Sequence, residues 1–271
     1  MNKFHGIFKQ LFELQLPGTE ALDLYEGYYA QLYEALTSRD NYDIPIVMEQ
    51  ARITGGPVLE LASGTARIVK HIANAGYSVT GVDISDDMLA IARKKTEMLP
   101  QRIKKNITLH KGNMIDFQVD EQFALVILTA TSISLLKDEE EVECMFNNIY
   151  EHVKDGGRFV FDLLDDESFE NSSLRMGGID AITLNQSPIP KQFILMGEQR
   201  DANHSKRALM NFYSEVIAED RTYRFFGSTE KTYFQYDAIL PIIKKTGFKI
   251  IQIEKKELAK NEMIYMFVLE K

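Results

Sequence analysis

Cysteine is almost missing from this sequence. A single Cys144 in 271 residues permits no intrachain disulfide and no cysteine-built metal cage, which sets aside disulfide-stapled scaffolds and zinc ribbons. Long apolar runs are missing too. No stretch approaches the roughly 18 residues of a membrane span, and "MNKFHGIFKQLFELQLPG" at the N-terminus carries charges where a signal peptide needs an unbroken apolar segment. The expectation is a cytoplasmic protein with no membrane partner. Positive charge is in deficit, 31 Lys and Arg against 40 Asp and Glu for a net charge of -9. Such a surface repels phosphate backbones, so nucleic acid is not an expected partner.

What is there is a 45% apolar chain, long enough for one large α/β domain with an insertion. Phe4, Phe8, Leu11 and Phe12 predict a helix over 4–14, ended by Pro17-Gly18, and two further helices are expected over 19–36 and 43–53. Strands at 58–62, 78–82, 107–111, 123–129 and 157–163 then alternate with helices at 65–75, 86–98 and 139–153. Alternation of this kind implies parallel strands under covering helices, and "ALVILTA" and "RFVFDLL" read as strands buried on both faces. Between 174 and 232 the rhythm changes to short alternating segments that suit antiparallel strands. A helix over 236–246 and the segments "GFKIIQIE" and "EMIYMFVLEK" follow as an antiparallel edge. The predicted fold class is α/β: a doubly wound, Rossmann-like, seven-stranded, mostly parallel sheet with an antiparallel β insertion and an N-terminal helical lid. Its expected divisions are 1–54 (lid), 55–173 (core), 174–232 (capping insertion) and 233–271 (the rest of the core).

In an open α/β sheet a ligand sits at the carboxyl ends of the strands, starting with the first strand-to-helix turn. Here that turn is "ELASGTAR". A dinucleotide needs a glycine triplet so that its pyrophosphate can approach the backbone. This loop keeps only Gly64, with Ala62 and Ala66 at the neighbouring alternate positions and Glu60 ahead of the turn to repel phosphate. A cationic or zwitterionic ligand is the better fit. Asp83, at the end of the next strand, can accept both ribose hydroxyls of an adenosine; its alternative use is to cap the helix beginning near Ser85. Asn113, after the third strand, offers an amide oxygen to an adenine amino group while Met114 covers the ring, although Gly112-Asn113 also reads as an ordinary turn.

Together these residues resemble the class I S-adenosylmethionine-dependent methyltransferases. The glycine-rich turn is matched by "ELASGTA", the ribose acid by Asp83, the Ser-x-x-Met-Leu helix start by "DISDDMLAIARKK", and the adenine site by "GNM". The similarity covers roughly 20–165 and again 232–271, where "YDAILPIIKKTGFKII" looks like the last helix and strand of the family. It implies S-adenosyl-L-methionine as cofactor, S-adenosyl-L-homocysteine as product, no metal, and cofactor contacts from Glu60, Ala62, Gly64, Asp83, Ile84, Met88, Asn113, Met114, Thr129 and Ala130. "YAQLY" resembles the Tyr-Asp-x-x-Tyr helix of small-molecule N-methyltransferases, which adds Tyr29 and Tyr33 as cofactor contacts and Tyr42 as a further candidate; Ala30 stands where the pattern has an acid. With "ATSISLL", the whole is most similar to N-methyltransferases that tailor peptide antibiotics, including glycopeptides and the N-terminal arginine of plantazolicin-type peptides. The implied partner is a small-molecule or short-peptide amine.

Methyl transfer from a sulfonium asks mainly for alignment of a lone pair with the sulfur–methyl bond, and an amine acceptor must be held neutral. None of the five histidines sits in a pattern that demands catalysis, and no Asn/Asp-Pro-Pro-Tyr sequence or magnesium-binding carboxylate cluster occurs. "FDLLDDES" makes one strand exit acidic through Asp162, Asp165, Asp166 and Glu167, with Asp40 and Asp43 expected to face the same opening. Asp162 interrupts an apolar strand, where an unpartnered carboxylate is costly. It is therefore expected to act in catalysis by orienting the amine. O-methylation of a natural-product hydroxyl, and a sensor that binds the cofactor without turnover, stay open as alternatives.

Overall fold

The computed structural model describes residues 4–37, 41–166, 174–179, 192–201, 207–218, 221–259 and 262–271. In chain order the elements are α1 (Gly6–Glu13), β1 (Thr19–Asp23), α2 (Gly27–Thr37), α3 (Ile44–Thr54), β2 (Val58–Leu61), α4 (Val69–Asn74), β3 (Val79–Asp83), α5 (Asp86–Glu97), α6 (Gln101–Lys104) and β4 (Ile107–Lys111). There follow β5 (Phe123–Leu128), α7 (Glu139–His152), β6 (Val153–Asp166), β7 (Leu174–Ile179), β8 (Gln192–Asp201), β9 (Arg207–Ile217), β10 (Thr222–Thr232), α8 (Tyr236–Thr246), β11 (Lys249–Ala259) and β12 (Glu262–Glu270). The chain divides into two compact units, one of residues 1–38 with 168–233, the other of 39–167 with 234–271.

The larger unit holds the predicted seven-stranded sheet, in the order β11-β12-β6-β5-β2-β3-β4. From β6 to β4 every pairing is parallel, while β12 runs antiparallel to β6 and β11 antiparallel to β12. Every residue of β2 and β5 is buried, as parallel strands covered on both faces require. Alternate residues feed two cores. Leu59, Leu61, Val126, Leu128, Phe159 and Phe161 pack with Phe146 of α7 and Ile239 of α8, whereas Val58, Leu125, Ile127 and Val160 pack with Val47 of α3, Val69 of α4 and Ala92 of α5. Helix α5 starts where its sequence says it should: Ser85 Oγ accepts from Met88 N at 3.1 Å, and Asp86 and Asp87 lie in the first turn, against the positive end of the helix dipole.

The smaller unit is a five-stranded sheet, β1-β10-β9-β8-β7, antiparallel except for the parallel pair β1 and β10. Its faces carry one helix each. Phe4 and Phe8 of the α1 segment cluster with Tyr213 and Phe226, while Tyr29 and Leu32 of α2 cluster with Ile194 and Phe212.

Several expectations change. The helix expected over 19–36 begins only at Gly27, because residues 19–23 pair with Arg224–Ser228 as a strand. Helix α4 starts at Val69, after a longer turn, and α6 is an added short helix. Of residues 1–54, 1–38 belong to the smaller unit and 39–54 to the larger.

Candidate functional site

The turn after β2 keeps the backbone of a three-glycine loop while holding one glycine. Ala62, Gly64 and Ala66 all lie in the left-handed region, at φ +50°, +52° and +63°. At Gly64 a Cβ would make only ordinary contact with the flexible end of Met88, at 3.4 Å, so it is the left-handed backbone and not crowding that favours glycine there. Its N–H donates to Asp83 Oδ2 at 2.7 Å, and Ser85 N–H donates to Asp83 Oδ1 at 2.8 Å. Asp83 thus ties the ends of β2 and β3 together and leaves the capping of α5 to Ser85. Burial raises its pKa, opposed by these backbone N–H groups. Beside it the Ile84 side chain is 64% exposed, an apolar surface next to a carboxylate.

Glu60 is buried one residue before the end of β2, and its Oε2 has no hydrogen-bond partner among the described residues. Burial pushes its pKa up to about 8, opposed by Arg67 and reinforced by Asp43. Arg67, just past the loop, is committed elsewhere: Nη1 and Nη2 donate to Asp43 Oδ1 and Oδ2 at 2.8 and 2.6 Å, a bidentate pair on a carboxylate of 0% exposure.

At the end of β5, Ala130 and Thr131 are again left-handed, at φ +59° and +56°. Thr131 N–H donates to Asp162 Oδ1 at 2.8 Å, and the Tyr42 hydroxyl donates to Asp162 Oδ2 at 2.5 Å. Asp162 is 0% exposed, and burial pushes its pKa up to about 7 despite both hydrogen bonds. The interrupted apolar strand is therefore answered from within the protein. Asp162, expected to orient an amine, has both oxygens engaged by groups of the protein itself.

The larger unit brings Glu60, Ala62, Gly64, Asp83, Ile84, Met88, Asn113, Met114, Thr129 and Ala130 to the carboxyl ends of its parallel strands and to the loops and helix starts that follow them. Asn113 Oδ1 accepts from Ile115 N–H at 3.0 Å, an Asx turn that leaves the oxygen one lone pair. Met88 is buried and Met114 half-buried. Tyr29 is different. Its side chain is 0% exposed in the smaller unit, and its hydroxyl donates to Phe225 O at 2.7 Å, so the ring is core and not a surface offered to a ligand. Tyr33, half-buried, meets the Tyr25 ring edge-on. Asp165 Oδ2 accepts from Tyr236 N–H at 3.4 Å. Asp40, Glu167 and the Asp166 side chain lie outside the described residues. The Asp43–Arg67 pair went unassigned in the sequence; an aspartate just before a helix start and an arginine just after a glycine loop are its only local signals.

The donor set suits S-adenosylmethionine. Asp83 supplies a carboxylate where a phosphate would be repelled, the buried Oε2 of Glu60 can accept from an ammonium group, and the guanidinium next to the loop is already neutralised. Among the described residues no group of three or more His, Cys, Asp and Glu is placed to hold a metal ion, and no helix is long and apolar enough to cross a membrane.

Comparison with known proteins gives a consistent result. Residues 58–157 match a family model described as a methyltransferase domain. An uncharacterized methyltransferase of Oceanobacillus iheyensis is 30% identical over 172 residues, 60% of this chain and 74% of the relative. The dTDP-3-amino-3,4,6-trideoxy-alpha-D-glucopyranose N,N-dimethyltransferase of Streptomyces venezuelae is 30% identical over 118 residues, 44% of this chain and 46% of the relative. Among solved structures, the glycopeptide N-methyltransferase MtfA in complex with S-adenosylmethionine superposes with a TM-score of 0.60 at 19% identity, covering 97% of this chain and 96% of that one. This chain spans about half the length of several curated relatives that it matches.

Proposed function

The chain belongs to the S-adenosylmethionine-dependent methyltransferases, and from that premise we propose that it transfers a methyl group to an amine of a small molecule or short peptide. The observation that carries the proposal is the left-handed loop Ala62–Gly64–Ala66, braced by Asp83 and backed by the buried, half-satisfied Glu60. The cofactor supplies a methyl group on a sulfonium; the protein has to hold and align. Asp83 would accept from the ribose hydroxyls through its remaining lone pairs, and Glu60 from the ammonium of the amino-acid part. Ile84 and Met114 would flank the adenine, with Asn113 accepting from its amino group. Thr129 and Ala130 would line the path of the methyl group.

An amine fits this chemistry better than an alcohol, since a neutral amine brings its own lone pair and needs no strong base. Relatives named for work on a sugar amine and on a glycopeptide support the same class of acceptor. Within it, we assign the first trial to peptides with an N-terminal arginine, as the plantazolicin-like features of the sequence suggest. The smaller unit, with α1, α2 and its antiparallel strands, is assigned the selection of the acceptor.

The test is calorimetric titration with S-adenosylmethionine and S-adenosylhomocysteine, beside NADH, on the wild type and Asp83→Ala. Micromolar binding of the first two, weakened about 100-fold in the variant, is the expected outcome. Absence of binding by either sulfur ligand, or preference for NADH, overturns the reading. Methylated products from a panel of amines and phenols then decide the acceptor class.

A further inference from the structure

Two adjacent residues ahead of α3 reach two different strand-end loops. Asp43 receives both guanidinium nitrogens of Arg67, whose chain neighbour is left-handed Ala66. Tyr42 donates to Asp162, which in turn accepts from the N–H of left-handed Thr131. The dipeptide is thereby joined, through buried carboxylates, to the loop after β2 at one end and the loop after β5 at the other. Those loops contain four of the five non-glycine residues with positive φ among the described residues, and L-residues hold such conformations only where the surroundings over-determine them.

We propose that Tyr42-Asp43 is a positioning clamp for the methyl-transfer site, with Asp162 and Arg67 as its two arms, holding the loops after β2 and β5 in the left-handed form that receives the cofactor. The proposal rests on the methyltransferase reading and goes beyond it, by giving Asp162 a role exercised through Thr131 and not on a substrate. Methyl transfer depends chiefly on alignment, so a loop that relaxes by a fraction of an ångström weakens the site without unfolding the sheet. Asp43–Arg67 is bidentate and planar, which fixes direction as well as distance. Tyr42–Asp162–Thr131 does the same for the second loop with a rigid ring at its outer end.

The experiment uses the full chain, with S-adenosylhomocysteine as probe, and measures three quantities: the dissociation constant, the melting temperature and amide hydrogen exchange at 129–132. The variants are Tyr42→Phe, Asp162→Asn, Asp162→Ala and the double variant Tyr42→Phe/Asp162→Asn. Tyr42→Phe keeps the ring and is expected to fold even if Asp162→Ala does not. Expected results are about tenfold faster exchange at Thr131 in unliganded Tyr42→Phe and about tenfold weaker probe binding, with little change in melting temperature. Asp162→Asn, which keeps an oxygen for the Thr131 N–H, should recover most of the affinity that Asp162→Ala loses. The double variant should be no worse than Tyr42→Phe by more than about twofold, as for partners in one network. Unchanged exchange at Thr131 with equal affinities across the variants overturns the clamp. Failure of the wild type to bind the probe, by contrast, overturns the methyltransferase reading, and the exchange rates of the unliganded protein still report on the clamp.

Discussion

Ala62 and Ala66 stand at backbone positions that would suit glycine, and each methyl group there carries a cost. A left-handed L-residue is disfavoured by about 1–2 kcal/mol, part of which glycine gives back through its freer unfolded chain. Ala62→Gly and Ala66→Gly are therefore each expected to stabilise the protein by about 0.5–1 kcal/mol, seen as a rise of about 1–4 °C in melting temperature. A fall in melting temperature would mean that the methyl groups earn their place by packing. Glu60 and Asp162 make a second statement at this scale. Burial raises both, to about 8 and about 7, so each keeps a proton in the folded protein that the unfolded chain releases at lower pH. Their contribution to stability is complete below the unfolded values near pH 4 and is lost as pH rises through 7 to 8. Urea unfolding of the unliganded protein should thus show a loss of about 1–3 kcal/mol between pH 6 and 8.5. Glu60→Gln should flatten that slope; a wild-type stability that rises over this interval would contradict the assignment.

Among the elements, β10 shows how closely one strand and one helix are fitted. A Cβ on Gly227 would lie 2.7 Å from the Tyr29 ring, and that ring is held by its own hydrogen bond to Phe225 O. Gly227→Ala should cost about 1–3 kcal/mol by overpacking, and Tyr29→Leu in the same chain should return part of it. Equal stability of Gly227→Ala and wild type would show that α2 moves freely over its sheet. The parallel elements were legible in the sequence because buried runs such as "ALVILTA" carry their own signal. Strand β1 was not. Ala21, Leu22 and Tyr25 suit a helix face as well as a strand, and what makes Thr19–Asp23 a strand is a partner about 200 residues away. The tyrosines of α2 were ambiguous for a related reason: helical spacing cannot say whether an aromatic stripe meets a ligand or the sheet beneath it.

For the molecule as a whole, the division into two units separates the expected cofactor contacts. Apart from Tyr29 and Tyr33, each belongs to residues 39–167. A chain that joins 39–167 to 234–271 through a short flexible linker is therefore expected to bind S-adenosylhomocysteine within about tenfold of the full protein, while losing acceptor selection. Complete loss of binding in a folded product would mean that the cofactor site draws on the smaller unit. At this scale the sequence yielded the seven-stranded sheet and the turn that follows its first parallel strand. The carboxylate network of Asp43, Arg67, Tyr42 and Asp162 stayed hidden, because its members are separated by up to about 120 residues and no local pattern pairs them.

The parallel pairing of β1 with β10 also bears on biosynthesis. A ribosome adding roughly 5–20 residues per second makes Thr19–Asp23 about 10–40 seconds before Arg224–Ser228. During that interval Phe4, Phe8 and Tyr29 have neither Phe226 nor Gly227 to cover them. The early part of the chain must wait for its late partner with apolar surface open, and a chaperone that shelters nascent chains would find its longest task there.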